Sequence, residues 1–318
     1  MPAPALSVAL LTPDTFATIS RTVAHLVVQD IASAIELLVL APDASTIEIP
    51  EEVTRALHSV RVVPVDYGAG SGLARAAAVH AASAPVVAFA EDHCFPQVGW
   101  AAALVGTHRG PWAAVGPAVV NANPTSLVSW ADMLMGYGPW LAPQASGTRE
   151  HLPGHNTSYK CAVLLALGDH LPALMEAETP LQWKLRSGGH ELYLDDRARV
   201  AHTNFDHMGT WLLVSFHAGR VFAATRVLEW PVWRRVAFAA ASPLVPFVRL
   251  RRHLGQARAA GWSTWKIGAI APTLLLGLVA DGAGQALGSL FGTGGSVAML
   301  VAWEFYRNEP RGNRKPPA

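Results

Sequence analysis

The sequence is poor in charged residues, and this shortage narrows the classes of protein that it can represent. Charged residues make up 15% of the 318 positions, against about 25% in an ordinary soluble domain. The net charge is only +1, so the large basic field that nucleic-acid binding requires is absent. Hydrophobic residues reach 51%, and a chain this apolar is expected to contact a membrane.

Cysteine is also scarce, and its placement bears on the compartment. The two cysteines, Cys94 and Cys161, are far apart in the sequence. They form neither a metal knuckle nor a disulfide framework, so the chain fits a reducing compartment. The amino-terminal segment has no basic residues before its first apolar run. We therefore predict a first strand there and not a signal peptide.

Short apolar runs alternate with helical patterns over the first 90 residues. Runs at 7–11, 36–40, 60–65 and 85–90 predict strands, and the spacing at 19–29 and 73–82 predicts helices. The alternation indicates an α/β domain with a mainly parallel sheet and helices on both faces. Ligands bind beyond the carboxyl ends of such strands. We therefore expect Thr12, Asp43 and the segment Glu91-Asp92-His93 to lie at one edge.

The pattern is less regular further along the chain. A strand is predicted within 112–120, helices at 126–137, 161–167 and 180–187, and two short strands at 191–194 and 199–202. Composition changes after about residue 210. We therefore divide the chain into a catalytic domain (1–210), an apolar helical region (211–307) and a polar, disordered tail (308–318).

The apolar helical region is predicted to associate with a membrane. Arginine pairs flank an apolar stretch at 236–248, and further stretches follow at 267–280 and 283–303. The stretch at 267–280 is too short to span a bilayer, and the last is weakened by its glycines and serines. Arginine and tryptophan beside apolar helices favour an interfacial anchor. The alternative is a helical hairpin that packs on the catalytic domain or on a partner subunit.

Three side chains that can bind a metal end the fourth predicted strand. Carboxylates and an imidazole at Glu91-Asp92-His93 suit Mn²⁺, whereas sites built only from oxygen suit Mg²⁺. A solvated acidic turn explains these residues equally well. His202, which closes the last predicted strand, is a second candidate ligand, although a structural role is common for a lone histidine.

Two further segments carry polar groups suited to catalysis or sugar binding. Glu178 precedes a predicted helix, so its carboxylate is placed either to favour the helix amino terminus or to accept a proton from a hydroxyl. Glu176 competes for both roles. In Gly154-His155-Asn156 the glycine allows close backbone approach, and the two polar side chains can hydrogen-bond a sugar. An ordinary turn is the alternative.

In their order, these segments resemble the family 2 glycosyltransferases, which have the A-type glycosyltransferase fold. The resemblance covers residues 6 to 205 and rests on the ordered set of motifs. Its amino-terminal pieces are the opening strand Ser7–Thr12, the helix start Gly72-Leu73-Ala74-Arg75, the segment Phe89–Cys94 that resembles the Asp-x-Asp metal motif, and Pro96 with Gly99-Trp100. Its later pieces are Gly154-His155-Asn156, Glu178 with 181–186, Gly189-His190 and Arg199–His202.

The resemblance implies an inverting transfer of a sugar from a nucleotide-sugar donor to a hydroxyl of a lipid-linked or cell-envelope acceptor. A divalent cation, Mn²⁺ or Mg²⁺, is implied as cofactor, and the cytoplasmic face of the membrane as location. Glu178 is then the catalytic base. Thr12, Asp43, Arg75, Glu91 and Asp92 are expected to bind the donor, Gly154, His155, Asn156 and Trp183 the acceptor, and Asp92, His93 and His202 the metal.

The sequence departs from the family pattern at several of these positions. The nucleotide-binding Asp-Asp-Gly-Ser is replaced by Ala41-Pro42-Asp43-Ala44-Ser45, and Ala76 stands where the family has asparagine. Glu91 and His93 replace aspartates of the metal motif, and Glu178 replaces an aspartate. A catalytically impaired binding or scaffold subunit is therefore the alternative function. A nucleotidyltransferase is less suitable, because no Gly-rich basic loop follows the first strand.

Overall fold

The computed structural model describes residues 3–66, 71–154, 156–176 and 178–304. The predicted tail, 308–318, lies outside these residues. Contacts divide the chain into two compact units. The first contains Met1–Val120 and Ala142–His202, and the second contains Asn121–Leu141 and Thr203–Ala318.

The elements follow one another in a regular α/β order before the chain becomes helical. The strands are β1 (Leu6–Leu11), β2 (Ile35–Ala41), β3 (Ser59–Pro64), β4 (Val86–Ala90), β5 (Cys94–Pro96), β6 (Ala114–Asn121), β7 (Gly147–Arg149), β8 (Ser158–Lys160) and β9 (Leu192–His202). The helices are α1 (Phe16–Val27), α2 (Glu51–Ala56), α3 (Ser71–Ala81), α4 (Trp100–Thr107), α5 (Leu127–Tyr137), α6 (Cys161–Leu165), α7 (Leu171–Met175), α8 (Glu178–Ser187), α9 (Met208–Arg226), α10 (Val232–Ala241), α11 (Val245–Ala259), α12 (Thr264–Phe291) and α13 (Ser296–Glu304).

The strands form one mixed sheet in the order β3-β2-β1-β4-β8-β6-β9-β5, with β7 on β9. The first four strands in this order are parallel, and β8, β5 and β7 pair in the antiparallel sense. Every residue of β2 and β4 is buried, as expected for parallel strands covered on both faces. The predicted α/β fold is confirmed, and its parallel strands all lie within the first 90 residues.

The last strand differs from the prediction of two short strands. β9 runs without a break through Asp195 and Arg197, because the charge of the aspartate is neutralised inside the fold. The Asp195 side chain is 1% exposed and accepts hydrogen bonds from Arg197 and Thr107. Burial alone would raise the pKa of Asp195, but these hydrogen bonds hold it below its ordinary value.

A buried carboxylate ties together the amino-terminal ends of the parallel strands. Glu36, at the start of β2, accepts hydrogen bonds from Ser7 at 2.5 Å, from the Ser83 amide at 2.8 Å and from Arg61 at 2.6 Å. Burial would raise the pKa of Glu36, but these bonds outweigh it and hold the pKa below the ordinary value of 4.5. The carboxylate therefore remains charged in the folded chain and links three elements.

Replacing Glu36 with glutamine should destabilise the first unit at neutral pH. We expect a loss of about 2–3 kcal/mol, because hydrogen bonds to a charged acceptor are replaced by weaker or missing ones. Since the folded pKa is depressed, the stabilisation is present above about pH 4.5 and declines as the pH falls further. Urea unfolding at pH 7 and pH 3.5 measures the difference. An E36Q penalty that stayed constant between these pH values would contradict this account.

In the second unit, α9 and α12 approach so closely that glycine is required between them. A Cβ added to Gly284 would collide with the carbonyl oxygen of Phe216, and one added to Gly288 with that of Arg220. From the other side, Gly219 faces the Asp281 backbone. Small residues four apart allow helices to pack backbone to backbone. This contact therefore determines how the second unit packs.

The sequence also placed a break near residue 281 that the structure does not have. The predicted stretches at 267–280 and 283–303 are replaced by α12, which continues through Asp281, and by the shorter α13. The Asp281 carboxylate is buried and bonded to Arg249 and to Gln285, at 2.6 Å from the amide nitrogen of Gln285. These partners explain why a charged residue does not end the helix.

Among the described residues, α12 is the one helix long and apolar enough to cross a membrane by length and composition. It has 28 residues, and its most apolar 18-residue window has a mean hydropathy of 1.6. Half of that window is buried inside the protein. The prediction that 267–280 is too short to span therefore does not describe the helix that forms.

Two substitutions of glycine in α12 distinguish the effect of helix packing on stability from the effect of helix propensity. Gly284→Ala should destabilise the protein by about 1–3 kcal/mol, because the methyl group meets the α9 backbone. Gly268→Ala is the matched control, since nothing lies within 4 Å of a Cβ added at that position. Alanine should stabilise that site by up to about 1 kcal/mol. Thermal unfolding compares them, and equal effects would contradict the close approach of α9 and α12.

Candidate metal and donor site

The carboxyl ends of the parallel strands lie together, as the sequence predicted. β1 lies between β2 and β4, with Leu11 beside Leu40 and Leu10 beside Ala90. The segments that follow these strands therefore begin at the same edge of the sheet. Thr12, Asp43 and Glu91 are the first polar residues that they contribute.

Pairing of β5 with β9 brings His202 to this edge. Cys94 lies opposite His202 in the antiparallel ladder, so the histidine is adjacent to the turn that connects β4 to β5. The rings of His93 and His202 meet edge to face, with centroids 5.1 Å apart. Ligand atoms of Glu91, His93 and His202 all lie within 4.8 Å of one another. All three residues are buried.

The predicted ligands Asp92, His93 and His202 do not occupy equivalent places. His93 and His202 belong to the cluster, and Glu91, predicted to bind the donor, completes it. Asp92 instead accepts a hydrogen bond of 2.7 Å from His93 Nδ1. The His93 Nε2 atom lies 3.4 Å from Glu91 Oε2. A carboxylate on the second ring nitrogen is the usual partner of a metal-binding histidine.

The donor set of the cluster fits a divalent transition metal. Two imidazole nitrogens and one carboxylate oxygen suit Mn²⁺ or a similar ion, whereas Mg²⁺ and Ca²⁺ are bound by oxygen. The Nε2 atom of His93 is buried and makes no hydrogen bond within the described part of the chain. The residues present therefore fit a cation of this class.

Thr22 supports the turn from beneath, and sequence analysis did not identify it. It lies on the buried face of α1, and its hydroxyl donates to the carbonyl oxygens of Glu91 at 2.8 Å and Asp92 at 3.0 Å. The side chain thereby fixes the backbone that carries the two carboxylates. A threonine between Ile19 and Val23 on an apolar helix face was the available indication.

The predicted donor residues other than the acidic turn make hydrogen bonds within the protein. The Thr12 hydroxyl donates to the Thr15 carbonyl at 2.7 Å. Asp43 accepts from the hydroxyl of Ser45 at 2.7 Å and from its amide at 2.8 Å, and these bonds lower its pKa. Arg75 donates to the Met175 carbonyl at 3.0 Å. Their roles in donor binding stay predictions.

A small cleft brings one predicted donor residue to the predicted acceptor loop. Arg75 and Gly154 both line this cleft, together with Phe89, Tyr159, Met175 and Leu181. Asn156 is attached to the wall of this cleft, because its backbone amide donates a hydrogen bond of 2.7 Å to the carbonyl oxygen of Phe89.

Asn156 combines an unusual backbone conformation with a buried polar side chain. Its φ is 63°, it is 1% exposed, and its amide atoms have no hydrogen-bond partner among the residues that the structure describes. His155 lies outside the described residues. Trp183 is 57% exposed on α8 and stands edge-on to His151, 6.3 Å between centroids, and no observed contact links it to the metal cluster.

The two competing glutamates have different places in the structure. Glu176 accepts a hydrogen bond of 2.6 Å from the Gly72 amide in the first turn of α3, so its carboxylate satisfies a helix amino terminus. Glu178 is the first residue of α8, and its side chain lies outside the described part. Glu176 therefore has a structural role at the start of α3, and the role of Glu178 stays a prediction.

Comparison with known proteins agrees with this architecture. The model of glycosyl transferase family 2 matches residues 7–167, half of the chain. The protein belongs to glycosyl transferase family 2. A comparison with curated proteins found no match.

Three solved structures of S. aureus TarS 1–349 are also similar to this chain. S. aureus TarS 1–349 is 18% identical, with a TM-score of 0.46, and the match covers 71% of this chain and 66% of that one. For its structure with UDP-GlcNAc, the identity is 17% and the TM-score 0.45, and the match covers 64% of this chain and 59% of that one. For its structure with UDP, the identity is 15% and the TM-score 0.46, and the match covers 85% of this chain and 89% of that one. This chain thus spans less than two thirds of the first two TarS chains.

Removing one imidazole from the cluster should weaken Mn²⁺ binding. We expect His202→Ala to lower the affinity at least about tenfold, because a ligand and part of the preorganised geometry are lost. His190→Ala is the matched control, since His190 is exposed and is not part of the cluster. Electron paramagnetic resonance of free Mn²⁺ measures both affinities. Equal affinities in the two variants would remove His202 from the site.

Proposed function

We propose that the protein is an inverting glycosyltransferase that moves a sugar from a nucleotide-sugar donor to a hydroxyl of a lipid-linked or cell-envelope acceptor. The observation that carries the proposal is the buried cluster of Glu91, His93 and His202. It stands at the carboxyl edge of the parallel strands in a chain of glycosyl transferase family 2. That edge is where sheets of this kind bind ligands.

The cluster is assigned to the diphosphate of the donor. A divalent cation held there, with Mn²⁺ favoured over Mg²⁺ by the two imidazoles, would neutralise the charge that develops on the leaving diphosphate. Asp92 orients His93, and Thr22 holds the backbone of the acidic turn in place. Both contacts preorganise the site before the donor arrives, which lowers the cost of reaching the transition state.

The transfer itself needs a base on the acceptor side. Glu178 removes the proton of the acceptor hydroxyl while the oxygen of that hydroxyl attacks the anomeric carbon of the donor sugar. The bond from that carbon to the diphosphate oxygen breaks on the opposite side, so the configuration inverts. Base catalysis of this kind contributes about 10²- to 10⁴-fold. Gly154, His155, Asn156 and Trp183 are assigned to the acceptor, and the buried Asn156 amide supports this assignment.

The acceptor class is linked to the location of the protein. The cytoplasmic face of the membrane suits an enzyme with two buried cysteines that are far apart in the sequence and an apolar helical region. The 28-residue helix α12 and the exposed apolar residues of α10 and α11 support membrane association. This membrane location is the basis for proposing a lipid-linked or cell-envelope acceptor.

A binding or scaffold subunit without transferase activity is the second candidate. It is favoured by Asp43, whose carboxylate is already bonded to Ser45, and by Ala76, which stands where the family has asparagine. Calorimetry with a panel of nucleotide sugars and Mn²⁺ distinguishes the two functions. Failure to bind any donor would favour the scaffold.

Glu178→Gln should retain metal-dependent donor binding and reduce transfer by about 10²- to 10⁴-fold, because the amide cannot accept the proton. Glu176→Gln is the matched control two residues away. Its remaining carbonyl oxygen can still accept from the Gly72 amide, so we expect transfer near the wild-type rate. Donor-panel assays with mass analysis of the product measure both rates. Unchanged turnover in E178Q would remove Glu178 from the mechanism.

A further inference from the structure

The helix α10 exposes its apolar side. None of its ten residues is buried, and at 100° per residue Val232, Trp233 and Val236 share one arc of its surface. Their exposed fractions are 74%, 71% and 50%. A helix of a soluble protein normally turns such a face toward the core, so the exposed arc needs a covering partner.

The arginines of α10 lie away from this arc and are held by the protein. Arg235 donates to the carbonyl oxygens of Leu228 and Trp230, both at 2.9 Å. The Arg234 guanidinium stacks on the Trp230 ring, 3.9 Å from its centroid. These contacts fix the rotation of the helix, so the apolar arc is directed outward by the fold.

The neighbouring helix α11 has an exposed face of mixed character. Phe247 and Val248 are 61% and 70% exposed. Arg251 and Arg252, also exposed, follow them at four-residue spacing, so each arginine lies one turn from an apolar side chain on the same face. The opposite face is buried through Pro246, His253 and Ala257. Long cationic side chains beside apolar ones are typical of helices that lie at a membrane interface.

Charge identifies the partner. Between residues 226 and 258 the chain has seven arginines, no lysine and one acidic residue, Glu229. One of the seven, Arg249, is paired with Asp281 of α12, which still leaves an excess of positive charge. The whole protein has a net charge of only +1, so the positive charge is concentrated here. A surface that combines this excess with exposed aromatic and aliphatic side chains is complementary to anionic lipid headgroups above an acyl layer.

We propose that the outer faces of α10 and α11, formed by Val232, Trp233, Val236, Phe247, Val248, Arg251 and Arg252, bind the surface of an anionic lipid bilayer. The apolar side chains insert to the depth of the headgroups, and the arginines contact lipid phosphates. The α10–α11 surface lies along the membrane and does not cross it. This inference deepens the membrane location proposed above and does not depend on sugar transfer.

Vesicle flotation of the full chain tests the proposal. The wild-type protein should float with vesicles of phosphatidylcholine and phosphatidylglycerol, much less with phosphatidylcholine alone, and should be released by raised salt. Val232→Asp should lower the partition coefficient at least about tenfold. The double variant R251E/R252E should do the same. Circular dichroism and thermal unfolding establish that each variant is folded.

Matched controls come from the first unit. Val98 is 69% exposed, so V98D introduces the same charge at an equally exposed valine and should leave flotation unchanged. R55E reverses the charge of an exposed arginine outside the α10–α11 surface and should also leave flotation unchanged.

Flotation of V232D at the wild-type level, or failure of the wild type to float, would overturn the proposal. A stable dimer that V232D dissociates would overturn it in favour of a second copy as the partner. Because flotation requires neither donor nor metal, its result is independent of any failure of the transferase assay.

Discussion

The pairing of β5 with β9 is the constraint on which the candidate site depends. It sets Cys94 opposite His202 and thereby brings a histidine from the end of the sheet to the turn after β4. Without this ladder, Glu91 and His93 would be an acidic turn with one imidazole. With it, three buried ligand atoms face one another, and Thr22 and Asp92 supply the hydrogen bonds that keep them there. The chemistry of the proposed transferase follows from one short antiparallel contact.

The sequence was sufficient for the parts of the fold that are governed by local pattern. The parallel strands, the family and the edge at which the acidic turn lies are all confirmed. It failed where a distant partner overrides the local pattern. Arg197 allows β9 to continue through Asp195, and Arg249 allows α12 to continue through Asp281. Whether Asp92 binds the metal stays a prediction, because side-chain direction decides which groups reach the cluster and residue order does not specify that direction. The grouping of 121–141 with the carboxyl-terminal helices likewise depends on distant contacts.

The two units are stabilised in different ways. In the first, a buried carboxylate gathers hydrogen bonds at the start of the parallel strands. In the second, glycines let the backbones of α9 and α12 touch, so the stability comes from close contact over a long helix pair. The second mode needs little polar surface, which agrees with an outer surface that is rich in apolar side chains and arginine.

The Glu36 network and the acidic turn occupy opposite ends of the same strands. Ser7 and Glu36 lie where β1 and β2 begin, and Glu91 follows the end of β4. The residues that stabilise the sheet and the residues of the candidate site thus lie at opposite ends of the strands. Variants near Glu36 can therefore change the stability of the sheet without replacing any residue of the candidate site. Stabilising substitutions near Glu36 can therefore be made before any change to the sugar or acceptor specificity of the proposed transferase.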